Sequence, residues 1–254
     1  MTELESEAME AEFGTVAGWT EEAVRTLGPK YAVPAGCRGS GSEQALRWLA
    51  DRLRLDTRTR FLDAGAGVGG PAGWLAAEHG VRPVCAEPMV AAVRASRRLF
   101  GLPSVVALGQ QLPFADAAVE AAWCLGVLCT TSDKLGALTE LRRVLADGAR
   151  LGLLVFIADA PLPPPLPEGN EFPSEPELRD LLARAQFRLE DAADADLSAS
   201  PPAWTERADA VEAEIARRHG QDPSFQQAQE QSGRVGRLLS RGLRPWLAVA
   251  TRLA

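Results

Sequence analysis

The residues best suited to bind a ligand form a glycine-rich loop between two carboxylates. Residues 63–70 read DAGAGVGG; they follow a short apolar run and precede a stretch with helical spacing. Glycines let the backbone turn tightly and approach a ligand closely, and the amides at the start of the next helix point toward that ligand. Asp63 stands just before the loop, and Glu87 ends the next apolar run, where a carboxylate can accept hydrogen bonds from ribose hydroxyls. The pattern predicts a nucleoside site.

A dinucleotide site is the alternative, because Gly65, Gly67 and Gly70 also fit the G-x-G-x-x-G spacing. Three features count against it. The loop comes after residues 1–58, which have mainly helical patterning, rather than near the N-terminus. Asp63 would place negative charge beside the pyrophosphate of a dinucleotide. No second domain is evident that could hold a hydride acceptor. A cationic ligand with an amino group would be stabilised by the same aspartate.

The elements that must position these residues alternate between strands and helices. Short apolar runs bounded by helical segments predict βαβ units, a parallel sheet and helices on both of its faces. The predicted strands cover residues 60–63, 83–87, 105–107, 121–125 and 150–157, and the helices between them cover 70–79, 89–100 and 134–145.

The flanking segments complete a single domain spanning residues 1–254. We predict a leader or lid over 1–42, a core over 43–195, a helical cap insertion over 202–241 and a final strand over 244–254.

Local sequence patterns predict the elements inside these regions. Residues 1–12 are polar and are expected to fray. Helices are expected near 15–27 and 42–54, and Ser42 is the expected N-cap of the second. Residues 28–42 form the connector between these helices. Residues 158–173 form a proline-rich loop, Ser174 and Glu177 form a capping box for a helix to Ala185, a strand follows at 187–189, and two helices at 202–220 and 224–240 are expected to cover one edge of the sheet.

Composition excludes several function classes. The chain has 254 residues and a net charge of −7, which disfavours binding to a nucleic-acid backbone. Apolar runs such as 151–158 are far shorter than a membrane span needs, and the acidic start is unlike a secretion signal, so a cytoplasmic protein is expected. Four cysteines without a CxxC pair and only two histidines predict buried thiols and no metal site.

With these motifs in order, the sequence resembles the class I S-adenosylmethionine-dependent methyltransferases. The resemblance covers about residues 40–160 and, less closely, the terminal strand. Its motifs are DAGAGVG at 63–69, AEPM at 86–89, LPFADAAVEAAW at 112–123, LRRVLADGARLGLLVF at 141–156 and PWLAVATR at 245–252. It implies a Rossmann-like α/β fold: a seven-stranded, mostly parallel sheet whose last strand lies antiparallel beside the fifth, with the helical cap inserted before that strand.

The resemblance also implies which residues bind S-adenosylmethionine. Asp63 and the loop border the methionine portion, Glu87 binds the ribose, Pro88 and Met89 pack on adenine, and the residues after the fourth strand lie near the amino group. The family often has an acid near the end of the third strand for the adenine amino group, but Leu108 occupies that position here, so Gly109 or Gln110 would have to substitute. The full predicted set is Asp63, Gly65, Ala66, Gly67, Glu87, Pro88, Met89, Gly109, Gln110, Cys124 and Leu125.

The expected activity is methyl transfer to a small organic molecule in specialised metabolism. The cofactor already carries an activated methyl group, so the protein mainly positions the reactants, although a hydroxyl or carbon acceptor also needs a base. Tyr31 and His219 are the two main candidates for that base, and Asp133 and Glu206 are further candidates.

Two other functions stay open at this point. The cofactor could be kept while the pocket performs a cyclisation or rearrangement, or the protein could bind without catalysis. The expected partner is a small-molecule substrate, with no nucleic acid and no membrane, and a homodimer is left open.

Overall fold

A computed structural model describes residues 10–254, and its central element is one seven-stranded sheet in the order β3-β2-β1-β4-β5-β7-β6. Residues 1–9, most of the segment expected to fray, lie outside the described residues. The strands are β1 (Arg60–Ala64), β2 (Arg82–Glu87), β3 (Ser104–Val106), β4 (Val119–Leu125), β5 (Leu145–Ala158), β6 (Phe187–Asp194) and β7 (Leu243–Arg252). Strands β1 to β5 pair in parallel, and β7 runs antiparallel between β5 and β6. The predicted Rossmann-like α/β fold, with its antiparallel last strand, is confirmed.

The helices fall into three groups along the chain. The leader holds a short π-helix (Glu10–Thr15), α1 (Val16–Leu27), a 3-10 turn (Pro29–Tyr31) and the one-turn α2 (Ala32–Gly36). The core helices are α3 (Glu43–Leu53), α4 (Gly70–His79), α5 (Val90–Phe100), α6 (Lys134–Val144) and α7 (Glu175–Arg184); the cap consists of α8 (Pro202–His219) and α9 (Pro223–Leu239). Within residues 10–254 none of these helices is long and apolar enough to cross a membrane.

Local sequence signals fix where several helices begin. Ser42 accepts a hydrogen bond from the Ala45 N–H at 3.3 Å, which caps α3 as predicted, and its hydroxyl also donates to the Asp196 carbonyl at 2.7 Å. Ser174 and Glu177 form both bonds of the predicted capping box at the start of α7. Because caps satisfy amides that the helix itself leaves without partners, these residues fix where α3 and α7 begin.

Apolar side chains fill both faces of the sheet. On one face β1, β4 and β5 pack under α3 and α4, where Phe61 meets Trp123 edge-on with ring centroids 5.0 Å apart. On the other face the same strands pack under α6 and α7, with Leu138, Leu151 and Leu153 fully buried. Each fully buried leucine contributes roughly 2 kcal/mol, so the central strands are held rigidly and their carboxyl ends form a fixed platform.

The flanking segments pack on each other and on the sheet. The connector at 28–42 contains the 3-10 turn and α2. The cap helix α9 contacts the π-helix and β7, and α8 packs on α1 and α2. Its two buried residues, Val211 and Ile215, join a cluster with Ala23 and Val24 of α1, so the leader supplies the apolar surface that the cap needs.

Candidate functional site

The glycine loop joins β1 to α4 in a conformation that needs glycine at two positions. Gly65 has φ +76°, and a Cβ added there would lie 2.2 Å from Cγ2 of Val127. Gly67 has φ +53°, and an added Cβ would meet no atom within 4 Å. The loop therefore turns in the left-handed region that glycine tolerates best, packs closely against the segment after β4, and leaves space above Gly67.

Glu87 ends β2 and is tied to the loop by both carboxylate oxygens. Its Oε2 accepts from the Gly67 N–H at 2.9 Å and its Oε1 accepts from the Met89 N–H at 3.0 Å. The side chain is only 6% exposed. Burial raises the pKa of Glu87, although the two amides favour its charged form. Because a carboxylate oxygen has two lone pairs, each oxygen can accept one further hydrogen bond, from a ribose hydroxyl.

Asp63, one strand over, is a buried carboxyl with an unmet hydrogen-bonding requirement. It is 1% exposed, and within residues 10–254 its Oδ2 has no hydrogen-bond partner. Burial, with a smaller contribution from the charge of nearby Glu87, raises the pKa of Asp63 to about 7, although hydrogen bonding from the Trp123 side chain and the Ala72 backbone lowers it. A buried acceptor without a donor is costly, and a ligand ammonium group would remove that cost. These residues therefore fit a cationic nucleoside that carries an amino group.

The leader covers the loop through contacts between backbones. A Cβ added at Gly36 would lie 2.8 Å from the Gly70 Cα, at the start of α4, and one added at Gly126, after β4, would lie 2.5 Å from the Gly39 carbonyl oxygen. Cys37, between these two contacts, is buried, and burial with the charge of Asp63 raises the pKa of its thiol. The leader thus closes over the aspartate. The sequence offered Gly36 and Gly39 only as connector residues.

The predicted adenine side of the site is an apolar recess. A cavity of about 450 Å³ lies between the residues after β2 and the residues after β3, and its wall includes Pro88, Ala107 and Leu108. Leu108 is 55% exposed. The cavity is also lined by five residues that were not predicted as site residues: Val106, Ala107, Gln111, Leu112 and Pro113. A mainly apolar recess that also contains the Gln111 side-chain amide suits a nucleobase held mainly by packing.

Gln110 and the residues after β4 connect the two halves of the site. The Gln110 amide nitrogen donates to the Thr131 hydroxyl at 2.6 Å, so one end of its amide bridges the loops that follow β3 and β4. Cys124 and Leu125 are buried at the end of β4; burial and the charge of Asp63 raise the pKa of the Cys124 thiol. Residues at or after the carboxyl ends of β1, β2, β3 and β4 thus lie at one edge of the sheet.

The two residues named as catalytic candidates lie in the leader and the cap. The Tyr31 ring packs with the α1–α8 cluster, and the Lys30 Nζ lies 5.3 Å from its centroid. The His219 ring stacks on Trp19 at 4.4 Å, and its Nε2 lies 3.5 Å from Glu22. These contacts fasten α8 to α1, which is a structural role.

Of the two weaker catalytic candidates, one caps a helix and the other is exposed. Asp133 caps α6 by accepting from the Gly136 N–H at 2.8 Å, and Glu206 is exposed on α8. All four cysteines are buried, as predicted. Within residues 10–254 no group of three or more histidine, cysteine and acidic side chains could hold a metal ion.

Comparison with known proteins shows which families and structures this chain resembles. A family model described as a methyltransferase domain matches residues 62–153, which run from β1 through the glycine loop to β5. The O-methyltransferase resE of Aspergillus sclerotiorum is 30% identical over 165 residues, covering 58% of this chain and 62% of that protein. The chain therefore spans less than two thirds of that relative's length.

Solved structures with the same fold include proteins of different activities. The [4+2]-cyclase SpnF superposes with a TM-score of 0.66 at 23% identity, covering 83% of this chain and 81% of that one. A geranyl diphosphate C-methyltransferase of Streptomyces coelicolor A3(2), solved with S-adenosyl-L-homocysteine, has a TM-score of 0.59 at 16% identity and covers 83% of this chain and 77% of its own. At such identities the likeness establishes the fold alone.

Proposed function

We propose that this chain is a class I S-adenosylmethionine-dependent methyltransferase that transfers a methyl group from S-adenosylmethionine to a hydroxyl of a small organic molecule. The observation that carries the proposal is the buried Asp63 carboxyl, whose Oδ2 has no hydrogen-bond partner in the described chain, beside the glycine loop and Glu87. The hydroxyl acceptor is supported by the name of the relative from Aspergillus sclerotiorum.

Each residue of the platform has a binding role in this proposal. Asp63 accepts a hydrogen bond from the α-amino group, and Glu87, held by the Gly67 and Met89 amides, accepts from the ribose hydroxyls. Pro88 and Leu108 hold the adenine in the recess after β3. When bound, S-adenosylmethionine supplies an activated methyl group, so the protein contributes orientation and exclusion of water. The leader excludes water through its contacts at Gly70 and Gly126.

The proposal extends to the setting of the reaction. We propose a cytoplasmic enzyme of specialised metabolism whose partner is its small-molecule substrate. The net charge of −7 supports an enzyme that does not act on nucleic acid.

Calorimetry with S-adenosylhomocysteine tests the binding half of the proposal. Glu87→Ala should weaken binding about tenfold, because hydrogen bonds from a carboxylate to the ribose are lost. Glu120→Ala is the matched control, since Glu120 is exposed on β4 and accepts from the Arg60 N–H at the other end of the strand. The absence of binding at millimolar ligand would overturn the proposal.

The chemical half is tested by product formation. Incubation with methyl-labelled S-adenosylmethionine and a panel of phenols should yield S-adenosylhomocysteine together with a labelled, extractable small molecule. Conversion of a substrate without S-adenosylhomocysteine would instead support the second candidate, a cyclisation or rearrangement, which the fold shared with SpnF favours. Ligand binding with no conversion of either kind would support a non-catalytic binding protein.

A further inference from the structure

The buried side chain of Trp123 lies beside Asp63, and the proposed function leaves it without a role. Trp123 of β4 is paired in register with Asp63 of β1, the neighbouring parallel strand. Trp123 is fully buried and Asp63 is 1% exposed. Phe61 and Asp63 are two positions apart on β1 and therefore share one face of the sheet, and the Trp123 ring meets Phe61 edge-on. The indole and the carboxyl thus lie on the same face, on adjacent strands.

Packing holds the indole in one orientation. Its ring centroid lies 5.0 Å from that of Phe61, and the two ring planes are at 86°. On the other side Trp123 is paired with Gly152 of β5, where an added Cβ would lie 3.5 Å from the Trp123 Cβ and 3.3 Å from a methyl group of Leu53. Because an interior packed this closely allows little rotation of a large ring, the indole N–H keeps its direction when a ligand binds.

Two polar atoms of this pair are buried without a complete hydrogen bond. Within residues 10–254 neither Trp123 Nε1 nor Asp63 Oδ2 has a partner in hydrogen-bonding geometry. The indole is still close enough to the carboxyl to lower the pKa of Asp63 as a donor, against the larger effect of burial, which raises it. An indole N–H can only donate, and an ionised carboxylate can only accept. The two groups are therefore complementary partners.

Ionisation of Asp63 favours a hydrogen bond between them. Such a bond to a charged group is roughly twice as strong as one between neutral groups, and the amino group of a bound cofactor favours the charged carboxylate. Each carboxylate oxygen has two lone pairs, so Asp63 can accept from the indole and from the ligand at the same time.

We propose that Trp123 is a positioning residue for the cofactor: its indole N–H donates to the Asp63 carboxylate and orients it toward the amino group of S-adenosylmethionine. The inference rests on the proposed function, because that proposal assigns the amino group to Asp63. Trp123 acts on the ligand only through Asp63.

Trp123→Phe tests this role, because it removes the indole N–H and keeps an aromatic ring in the core. The affinity for S-adenosylhomocysteine is measured by calorimetry from pH 6 to pH 8.5. Since Asp63 has to be ionised to accept from the amino group, the affinity of the unmodified protein should rise with pH and level off above about 7. In Trp123→Phe the pH at which the affinity levels off should move upward. The affinity at pH 7 should fall about tenfold, because a hydrogen bond to a charged group is lost.

Trp74→Phe is the matched control. Trp74 of α4 is 3% exposed, belongs to the same apolar cluster as Trp123, and has an Nε1 that is also without a hydrogen-bond partner within residues 10–254. Its ring packs instead against His79, with centroids 5.4 Å apart. A substitution that only loosens the core should change binding alike in both variants, whereas the positioning role predicts an unchanged pH profile for Trp74→Phe. An unchanged profile in Trp123→Phe, or an equal shift in both variants, would overturn the inference.

A second measurement on the ligand-free protein decides the matter if Trp123→Phe does not fold. In protein labelled with nitrogen-15 tryptophan, one indole N–H resonance should move downfield as the pH rises through about 7, and this change should be absent from Asp63→Asn. If no indole resonance follows that titration, the positioning role is wrong. Failure of S-adenosylhomocysteine to bind the unmodified protein would overturn the proposed function as well, whereas an unchanged pH profile in Trp123→Phe with normal binding would overturn only the inference.

Discussion

The raised pKa of Asp63 predicts that cofactor binding is coupled to the release of a proton. In the absence of ligand, burial and the charge of Glu87 raise the pKa of Asp63 to about 7. A ligand ammonium beside Oδ2 favours the charged carboxylate and lowers that pKa. Below pH 7 the group must therefore lose its proton to bind, so the affinity for S-adenosylhomocysteine should fall about tenfold between pH 8 and pH 6.

Calorimetry in buffers with different ionisation enthalpies measures this coupling directly. About 0.9 proton should be released per ligand at pH 6 and about 0.1 at pH 8, the protonated fractions expected for a group with a pKa of about 7. Asp63→Asn should bind more weakly and lose this pH dependence, whereas Glu87→Gln should still release a proton. An affinity that is constant from pH 6 to pH 8, or an Asp63→Asn protein with the same proton release, would refute the reasoning.

The raised pKa of Asp63 makes the ligand-free protein more stable at low pH, which is the opposite of its effect on ligand binding. The protonated carboxyl is favoured in the folded state, so the contribution of Asp63 to stability is present below about pH 4 and is lost as the pH rises through 7. The loss amounts to at most about 4 kcal/mol, from the difference between a pKa of about 7 and the usual value. The difference between the unfolding free energies of Asp63→Asn and the unmodified protein should therefore shift in favour of the variant as the pH rises from 5 to 8.

Three further substitutions test the packing around the site. Gly65→Ala should reduce the free energy of unfolding in urea by about 2 kcal/mol more than Gly148→Ala, since both glycines have positive φ but only the first would drive its Cβ into a neighbour; equal losses would contradict the close packing. Gly36→Ala should speed hydrogen exchange in the leader because its Cβ would meet the backbone of α4, while Gly18→Ala, which meets nothing within 4 Å, should not. Ser42→Ala should cost about 1 kcal/mol in the same urea assay through loss of the α3 cap, and an unchanged midpoint would count against the cap.

The parts of the site that rest on local patterns could be predicted from the sequence. The turn at Gly65 and Gly67 follows from residue types that only a few backbone conformations favour, and Glu87 lies at the tip of its strand because parallel strands end at one edge of the sheet. The cap at Ser42 and the capping box at Ser174 are equally local.

The parts that rest on packing between distant segments could not be predicted. The contact between Gly36 and Gly70 depends on how the leader docks on the core, and neither glycine has a side chain to reveal it. The docking of α8 on α1 depends on matching apolar surfaces far apart in the chain, which local sequence patterns do not reveal.

A crystal structure of the protein with S-adenosylhomocysteine would show directly whether Asp63 and Glu87 hold the cofactor. The amino group should lie within hydrogen-bonding distance of Asp63 Oδ2 and the ribose hydroxyls should contact Glu87, with the leader closed over both. A ligand bound elsewhere, or with its amino group turned away from Asp63, would contradict it.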